Sequence, residues 1–114
     1  MEEGKVISIF EKAIQENVEL MRPEEEMRNQ LDIGYTFKDN VLIIQEIRPD
    51  YRKPDVYNRY PVAKARLVKT TGAWRLYWMG AEQVWQPYEP KKQVTNLIEF
   101  FKVLDEDEHA CFWG

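Results

Sequence analysis

The sequence YPVAKARLVK at residues 60–69, followed by GAWRLYWM at residues 72–79, decides the fold of this chain. Both stretches alternate residue types with a period of two, and a Thr-Gly turn separates them. This pattern is typical of a β-hairpin with one buried face and one solvent-exposed face. One face of the predicted hairpin carries Ala63, Ala65, Leu67, Trp74, Leu76 and Trp78. The other face carries Lys64, Arg66, Val68, Arg75 and Tyr77.

Two further strands precede this hairpin. Apolar residues alternate with polar residues over residues 31–38, which predicts a half-buried strand that ends at the turn-forming pair Asp39–Asn40. Residues 41–48 are predicted as the second strand, and we expect it to be central because both of its faces carry apolar residues. Residues 49–58 are predicted as a loop of about ten residues. Residues 84–88 are expected to extend one edge of the sheet, where a proline is tolerated.

Amphipathic segments towards both ends of the chain predict helices. Apolar side chains recur at helical spacing in residues 4–21, and Pro23 ends this helix. The same spacing recurs from about residue 92 to residue 105. The aromatic tail at residues 109–114 is expected to dock on the core. Together these elements predict an α+β fold, in which an N-terminal and a C-terminal helix pack on one face of a four-stranded antiparallel β-meander.

Length and composition favour a single domain over residues 1–114. The net charge of −4 argues against a globally basic nucleic-acid-binding protein, although cations can still be concentrated on one face. Cys111 is the only cysteine, which excludes an intrachain disulfide. The acidic N-terminus is unlike a signal peptide, and no apolar run reaches the roughly 18 residues that span a bilayer. We therefore expect a cytoplasmic protein that does not enter the membrane.

Several motifs occur in one order along the chain and resemble those of a known family. They are Glu46–Pro49, Pro61–Lys64, Trp74–Trp78, Val84–Trp85 with Tyr88, and the terminal Phe112–Gly114. From about Gln30 to Gly114 the chain resembles a bacterial family of small proteins classed as domain of unknown function 3024. The resemblance implies a small bacterial protein and no established activity, substrate or catalytic residue. Relatives carry a more basic stretch after the fourth strand, so no role for a basic residue carries over to residues 80–86 of this chain.

The charged face of the hairpin is the first candidate binding site. The residues concerned are Lys64, Arg66, Arg75 and Tyr77. Cations beside an aromatic ring suit a phosphate backbone and stacked bases, so nucleic-acid binding is one hypothesis. The plainer interpretation, which we favour, is a solvated face whose charges are balanced by Glu46 and Asp32. The face is a binding surface only if neither helix covers it.

Aromatic residues outside the core form the second candidate site. Trp74 and Trp78 share the apolar face of the hairpin and are expected in the core. Trp85 and Tyr88 are expected to be exposed, because Trp and Tyr are enriched at protein interfaces. Together with the loop around Tyr51–Tyr60 they form the contact surface that we favour for a protein partner. A homodimer through these aromatics or through an open strand edge is one such partner.

An enzyme is the third hypothesis, and the sequence favours it least. His109 and Cys111 lie two residues apart in the tail, which is poor geometry for a nucleophile–base pair or a metal site. Glu46 and Lys64 lack the partner aspartate of a nuclease-like site. We therefore predict no catalytic residue, no metal ligand and no cofactor. The favoured function is a non-enzymatic binding or interaction module, and nucleic-acid binding is the alternative.

Overall fold

The computed structural model describes residues 9–113 of the chain. In chain order the elements are α1 (Ile9–Met21), a 3-10 turn (Glu25–Met27), β1 (Asp32–Lys38), β2 (Val41–Pro49), β3 (Tyr57–Val68), β4 (Ala73–Met79), β5 (Trp85–Pro87), a second 3-10 turn (Glu89–Lys91), β6 (Gln93–Val94) and α2 (Leu97–Glu106). This order confirms the predicted α+β class, with one helix before the strands and one after them.

The strands form one antiparallel sheet in the order β1-β2-β3-β4, and both β5 and β6 pair with the far edge of β4. The prediction of four strands was therefore too low. Strand β5 lies where an edge extension was expected, whereas β6 was not predicted. These strands contain three and two residues, which is too short for an alternation with a period of two to be recognised.

Helix α1 agrees with the prediction over the part that the structure describes. It ends at Met21, shortly before Pro23, whose ring excludes the preceding residue from helical geometry. Ile14 and Val18 are its buried residues. Residues 4–8, the first part of the predicted helix, lie outside the described residues. Within residues 9–113, no helix is long and apolar enough to cross a membrane.

Helix α2 begins at Leu97 and not near residue 92, because a cap at Asn96 fixes its first turn. The Asn96 side-chain oxygen accepts a hydrogen bond from the Glu99 N–H at 2.9 Å. The Glu99 carboxylate in turn accepts hydrogen bonds from the Thr95 N–H at 2.9 Å and from the Thr95 hydroxyl at 2.7 Å. These bonds satisfy donors that a helix N-terminus otherwise leaves unpaired. The preceding residues are then free to pair with β4 as β6.

Both helices pack on the same face of the sheet, which we call the inner face. Its buried residues are Ile33, Leu42, Ile44, Ala63, Ala65, Trp74 and Leu76. The Trp74 ring meets the Phe10 ring of α1 edge to face, with 5.1 Å between the centroids. Phe100 and Leu104 of α2 are fully buried in the same apolar cluster. The alternation predicted for the central hairpin is thereby confirmed, and neither of the two helices described within residues 9–113 lies on the opposite face of the sheet.

The C-terminal tail docks on the core, as the sequence predicted, and Asp107 holds it there. Asp107 adopts a left-handed conformation (φ 39°) that ends α2. Its carboxylate accepts hydrogen bonds from the backbone N–H groups of Phe112 at 3.2 Å and of Trp113 at 3.1 Å. The Trp113 indole N–H donates to the Leu104 carbonyl at 2.9 Å. Phe112 is 7% exposed as a result. Gly114 lies outside the described residues.

Candidate binding surface

The sheet face opposite the helices, which we call the outer face, brings together most of the predicted site. Strand pairing aligns its side chains in rows that cross the strands. The first row is Lys38, Val41, Arg66, Arg75 and Gln93. The second row is Thr36, Ile43, Lys64, Tyr77 and Pro87. Trp85 follows on this face beside Met79. Because Arg66 and Arg75 are exposed, the face is a surface and not a buried layer.

Arg66 and Lys64 of this face both contact the Tyr77 side chain. The Arg66 guanidinium donates a hydrogen bond to the Tyr77 hydroxyl at 3.2 Å. The Lys64 ammonium lies 4.6 Å from the centroid of the Tyr77 ring and 5.2 Å from that of Trp85. Both distances are within the range of a cation–π interaction. The aromatic rings therefore orient two cations without neutralising them.

The carboxylates that were expected to balance this face pair with other residues. Asp32 binds the Arg22 guanidinium at 2.9 Å. Glu46 lies 3.5 Å from Arg48, and its register with Ile33 places it on the inner face. The prediction of a charge-balanced outer face is therefore wrong. The alternation of β2 explains the error for Glu46, since Ile43 points outward and residues at odd spacing from it point inward.

Within residues 9–113, the cations of the first two rows of the outer face form no ion pair. These cations are Lys38, Lys64, Arg66 and Arg75. Glu89 lines the same surface depression as Arg75 and Tyr77, but it pairs with Lys92 at 3.3 Å. Positive charge is thus concentrated on one face of a chain whose net charge is −4. A local group of cations raises the electrostatic potential of that face even where the whole molecule is acidic.

Arg66 and Arg75 lie directly opposite each other on β3 and β4. Like charges at directly opposed positions destabilise an antiparallel pair. The positive charges of this face also shift the pKa of the Tyr77 hydroxyl. Burial raises the pKa of this hydroxyl, but the hydrogen bond from Arg66 and the charges of Arg66, Lys64 and Arg75 outweigh burial, so the pKa lies below its ordinary value. Within residues 9–113, no carboxylate forms an ion pair with Arg66 or Arg75 that would relieve this repulsion.

Trp85 and Tyr88, the two aromatic candidates near β5, lie on opposite faces of the sheet. Trp85 is half-buried and joins the outer face beside Lys64. Tyr88 is only 3% exposed, and its ring packs on Phe112 with 4.9 Å between the centroids. The expectation that Tyr88 is exposed was wrong, because the alternation turns it inward after Pro87 and the docked tail covers it. Burial also raises the pKa of the Tyr88 hydroxyl, with smaller contributions from nearby acidic groups.

The long loop between β2 and β3 exposes aromatic residues but is internally ordered. Tyr51 of the loop is 93% exposed, and Tyr57, the first residue of β3, is 47% exposed. The Asp50 carboxylate accepts hydrogen bonds from the Asn58 amide at 3.0 Å and from two backbone N–H groups of the loop. These bonds, that from Asn58 foremost, lower the pKa of Asp50. The loop is therefore a fixed projection from the sheet and lies outside the rows of the outer face.

His109 and Cys111, which the sequence analysis considered as an enzyme site, differ in exposure and surroundings. His109 is exposed and lies beside the Tyr88 ring, with 6.4 Å between the centroids. Burial, together with the charge of Asp107, raises the pKa of the Cys111 thiol. A reactive cysteine requires the opposite shift. Among residues 9–113, no group of three or more His, Cys, Asp or Glu side chains is arranged to hold a metal ion.

Lys38 is the residue of this surface that the sequence analysis missed, and Trp85 was assigned to a different surface. Lys38 lies three strands away from Arg75 in the same row, which only the register reveals. Its exposed position at the end of an alternating strand was the available signal. Trp85 joins the face through its pairing with Met79, which the sequence pattern does not specify.

Comparison with known proteins gives one family. The model of a family described as a domain of unknown function (DUF3024) matches residues 3–114. No curated protein and no solved structure matches the chain. The family description names no activity.

Proposed function

This chain belongs to the DUF3024 family, and we propose that it is a binding module whose outer sheet face takes a polyanionic ligand. The observation that carries the proposal is the group of cations on this face, which have no carboxylate partner within residues 9–113. Arg66 and Arg75 repel each other directly across the strands, and the Lys64 ammonium lies over two aromatic rings. A ligand with several negative charges relieves this repulsion when it binds.

The shape of the surface supports the same conclusion. Both helices lie on the inner face, so an extended ligand meets no obstruction from them. The first row of the outer face crosses three strand spacings from Lys38 to Arg75. At about 4.8 Å per spacing, it is roughly 14 Å long. This length suits a chain of anionic groups better than a single small anion.

The test is binding of fluorescein-labelled heparin, followed by fluorescence anisotropy at low salt. We expect saturable binding that weakens as salt is added, since each phosphate-like or sulfate-like contact releases counterions. The double variant Arg66→Gln/Arg75→Gln should bind at least about tenfold more weakly than the unsubstituted protein. The matched control Arg52→Gln/Lys53→Gln changes the net charge equally, in the exposed loop, and should bind nearly as tightly as the unsubstituted protein.

Two outcomes contradict the proposal. One is the absence of heparin binding at low salt. The other is an equal loss of affinity in the two double variants, because that result would reflect net charge and not the outer face. Circular dichroism of both variants shows whether the fold is retained. The substituted side chains of the outer face are exposed, so the core is untouched.

A second candidate function is self-association through the edge of β1. Among the residues that the structure describes, this strand pairs with β2 alone, whereas the far edge of β4 is covered by β5 and β6. An open edge of seven residues is a template for pairing with a second copy. Light scattering coupled to size exclusion tests it: the substitution Thr36→Pro, at an exposed position of β1, should shift a dimer to a monomer. A monomer at high concentration before substitution refutes it.

A further inference from the structure

We propose that the polyanion bound by the outer face is a single-stranded nucleic acid, whose phosphates follow the first row while its bases stack on Tyr77 and Trp85. This inference rests on the proposed function and adds the class of ligand. The cations of the first row are Lys38, Arg66 and Arg75. The aromatic rings belong to the neighbouring rows.

The spacing of the rows fits a nucleotide. Side chains on one face of a strand repeat every second residue, so adjacent rows are about 7 Å apart. Arg75 and Tyr77 are separated by such a step along β4, as are Arg66 and Lys64 along β3. A phosphate on the first row therefore places its base over the second row. A polyanion without bases, such as heparin, has no group that uses the rings.

The aromatic rings favour a single strand over a duplex. The bases of a single strand are available to stack on an aromatic ring. Many proteins bind single strands through aromatic side chains on the surface of a β-sheet. Bases within a duplex are already stacked on each other. Both helices of the described part of the chain lie on the inner face, so neither can enter a duplex groove from the outer face. A duplex would therefore contact the cations and leave Tyr77 and Trp85 unused.

Lys64 has a specific part in this arrangement. In the free protein its ammonium lies over the Tyr77 and Trp85 rings, where a base would stack. It forms no ion pair within the described residues, so no carboxylate has to be released when it moves. An incoming phosphate attracts the ammonium away from the rings and uncovers them. Lys64 thereby exchanges a cation–π contact for a phosphate contact, while a base replaces it on the ring.

The experiment compares oligo(dT) and oligo(U) of about 15 nucleotides with heparin and with a duplex of equal length. The variants are Tyr77→Leu and Trp85→Leu, and the matched control is Tyr51→Leu on the exposed loop. We expect each outer-face variant to lose at least about fivefold in affinity for the single strands, as deletion of one stacking ring predicts. Affinity for heparin should change less than about twofold. Trp85→Leu keeps the test decisive if Tyr77→Leu does not fold.

Salt dependence gives an independent readout. Four cations, namely Lys38, Lys64, Arg66 and Arg75, predict a slope of log affinity against log salt of roughly −3 for a single strand. Arg66→Gln should reduce the size of this slope by about 0.7. Both slope values assume that each cation contacts one phosphate, so an Arg66→Gln slope equal to that of the unsubstituted protein would contradict a phosphate contact at Arg66.

The outcomes separate this inference from the function on which it rests. If heparin and the duplex bind as tightly as the single strands, and both ring variants leave every affinity unchanged, the nucleic-acid inference is refuted and the polyanion proposal stands. If no polyanion binds at low salt, both are refuted. Preferential binding of the single strands that is lost in either ring variant supports both, and the ratio of oligo(U) to oligo(dT) affinity then shows whether RNA or DNA is preferred.

Discussion

Reversing the charge of Arg75 should stabilise the protein and abolish polyanion binding at the same time. Arg75 lies directly opposite Arg66, so Arg75→Glu replaces a like-charge pair with an opposite-charge pair. Such cross-strand pairs contribute roughly 0.2–1 kcal/mol, and like charges cost a similar amount. Gln93, the partner of Arg75 on its other side, is neutral and adds no opposing term. Most substitutions destabilise a protein, so an increase in stability is a demanding expectation.

The magnitude follows from the exposure of both side chains. Because both arginines are exposed, solvent screens the pair, and we expect a net gain of about 0.5–1 kcal/mol. For 114 residues the entropy of unfolding is about 240 cal/mol/K, at about 2.1 cal/mol/K per residue. The midpoint of thermal unfolding should therefore rise by about 2–4 °C. Arg75→Gln, which removes only the repulsion, should give about half of this increase.

Thermal unfolding followed by circular dichroism at low salt measures the effect, and heparin anisotropy on the same samples measures binding. Lys69→Glu is the control, since it changes the net charge equally but has no paired residue opposite it in the register. In 1 M salt, where charges are screened beyond about 3 Å, the gain should largely disappear. A lower midpoint for Arg75→Glu than for Arg75→Gln would refute the repulsion argument. Unchanged heparin affinity in Arg75→Glu would refute the assignment of the binding surface.

Three further predictions concern stability. Asn96→Ala should cost about 1 kcal/mol in urea denaturation because the cap of α2 is lost, and Asn96→Asp should cost much less, a ranking that equal losses would contradict. Asp107→Gly keeps the left-handed backbone but removes the acceptor of the tail, so the tryptophan emission of the protein, to which Trp113 contributes, should shift to the red. Asp107→Asn should shift it less, and an unshifted spectrum for Asp107→Gly would contradict the role of Asp107 in holding the tail. The hydrogen bond from Arg22 foremost holds the pKa of Asp32 below its ordinary value, so this contact stabilises the fold above about pH 4 and the contribution is lost as pH falls through the lowered pKa; Arg22→Gln should flatten that acid limb, measured by denaturation at several pH values, and an unchanged limb would contradict the linkage.

The sequence pattern predicted the two faces of the sheet correctly in segments long enough to show an alternation with a period of two. The alternation in residues 60–79 correctly separated Trp74 and Leu76, which face the core, from Arg66 and Arg75, which face solvent. This assignment needs no register, because pleating alone alternates the two faces. The same pattern placed Tyr77 with the cations.

The sequence pattern does not specify which residues of neighbouring strands pair, and it does not reveal strands as short as β5 and β6. Which carboxylate meets which cation depends on strand pairing and on contacts with residues outside the sheet, such as Arg22 for Asp32. Sequence gives neither, so the expected charge balance was wrong. Tyr88 was misplaced for a related reason, since its burial depends on a tail that returns to it from Phe112. A contact between distant segments has no local signal in the sequence.

The inner face of the sheet packs the core, whereas the outer face carries the proposed binding residues. Substitutions can therefore test binding without disturbing the core. Trp74 and Leu76 alternate along β4 with Arg75 and Tyr77, so neighbours in sequence serve opposite sides of the sheet. Packing on the inner face fixes the backbone of β4, and that backbone sets the positions of the outer side chains. The repulsion between Arg66 and Arg75 is small beside the burial of a tryptophan, which contributes several kcal/mol. The sheet can therefore hold cations together in advance of a ligand, and a substitution on the outer face should change affinity far more than stability.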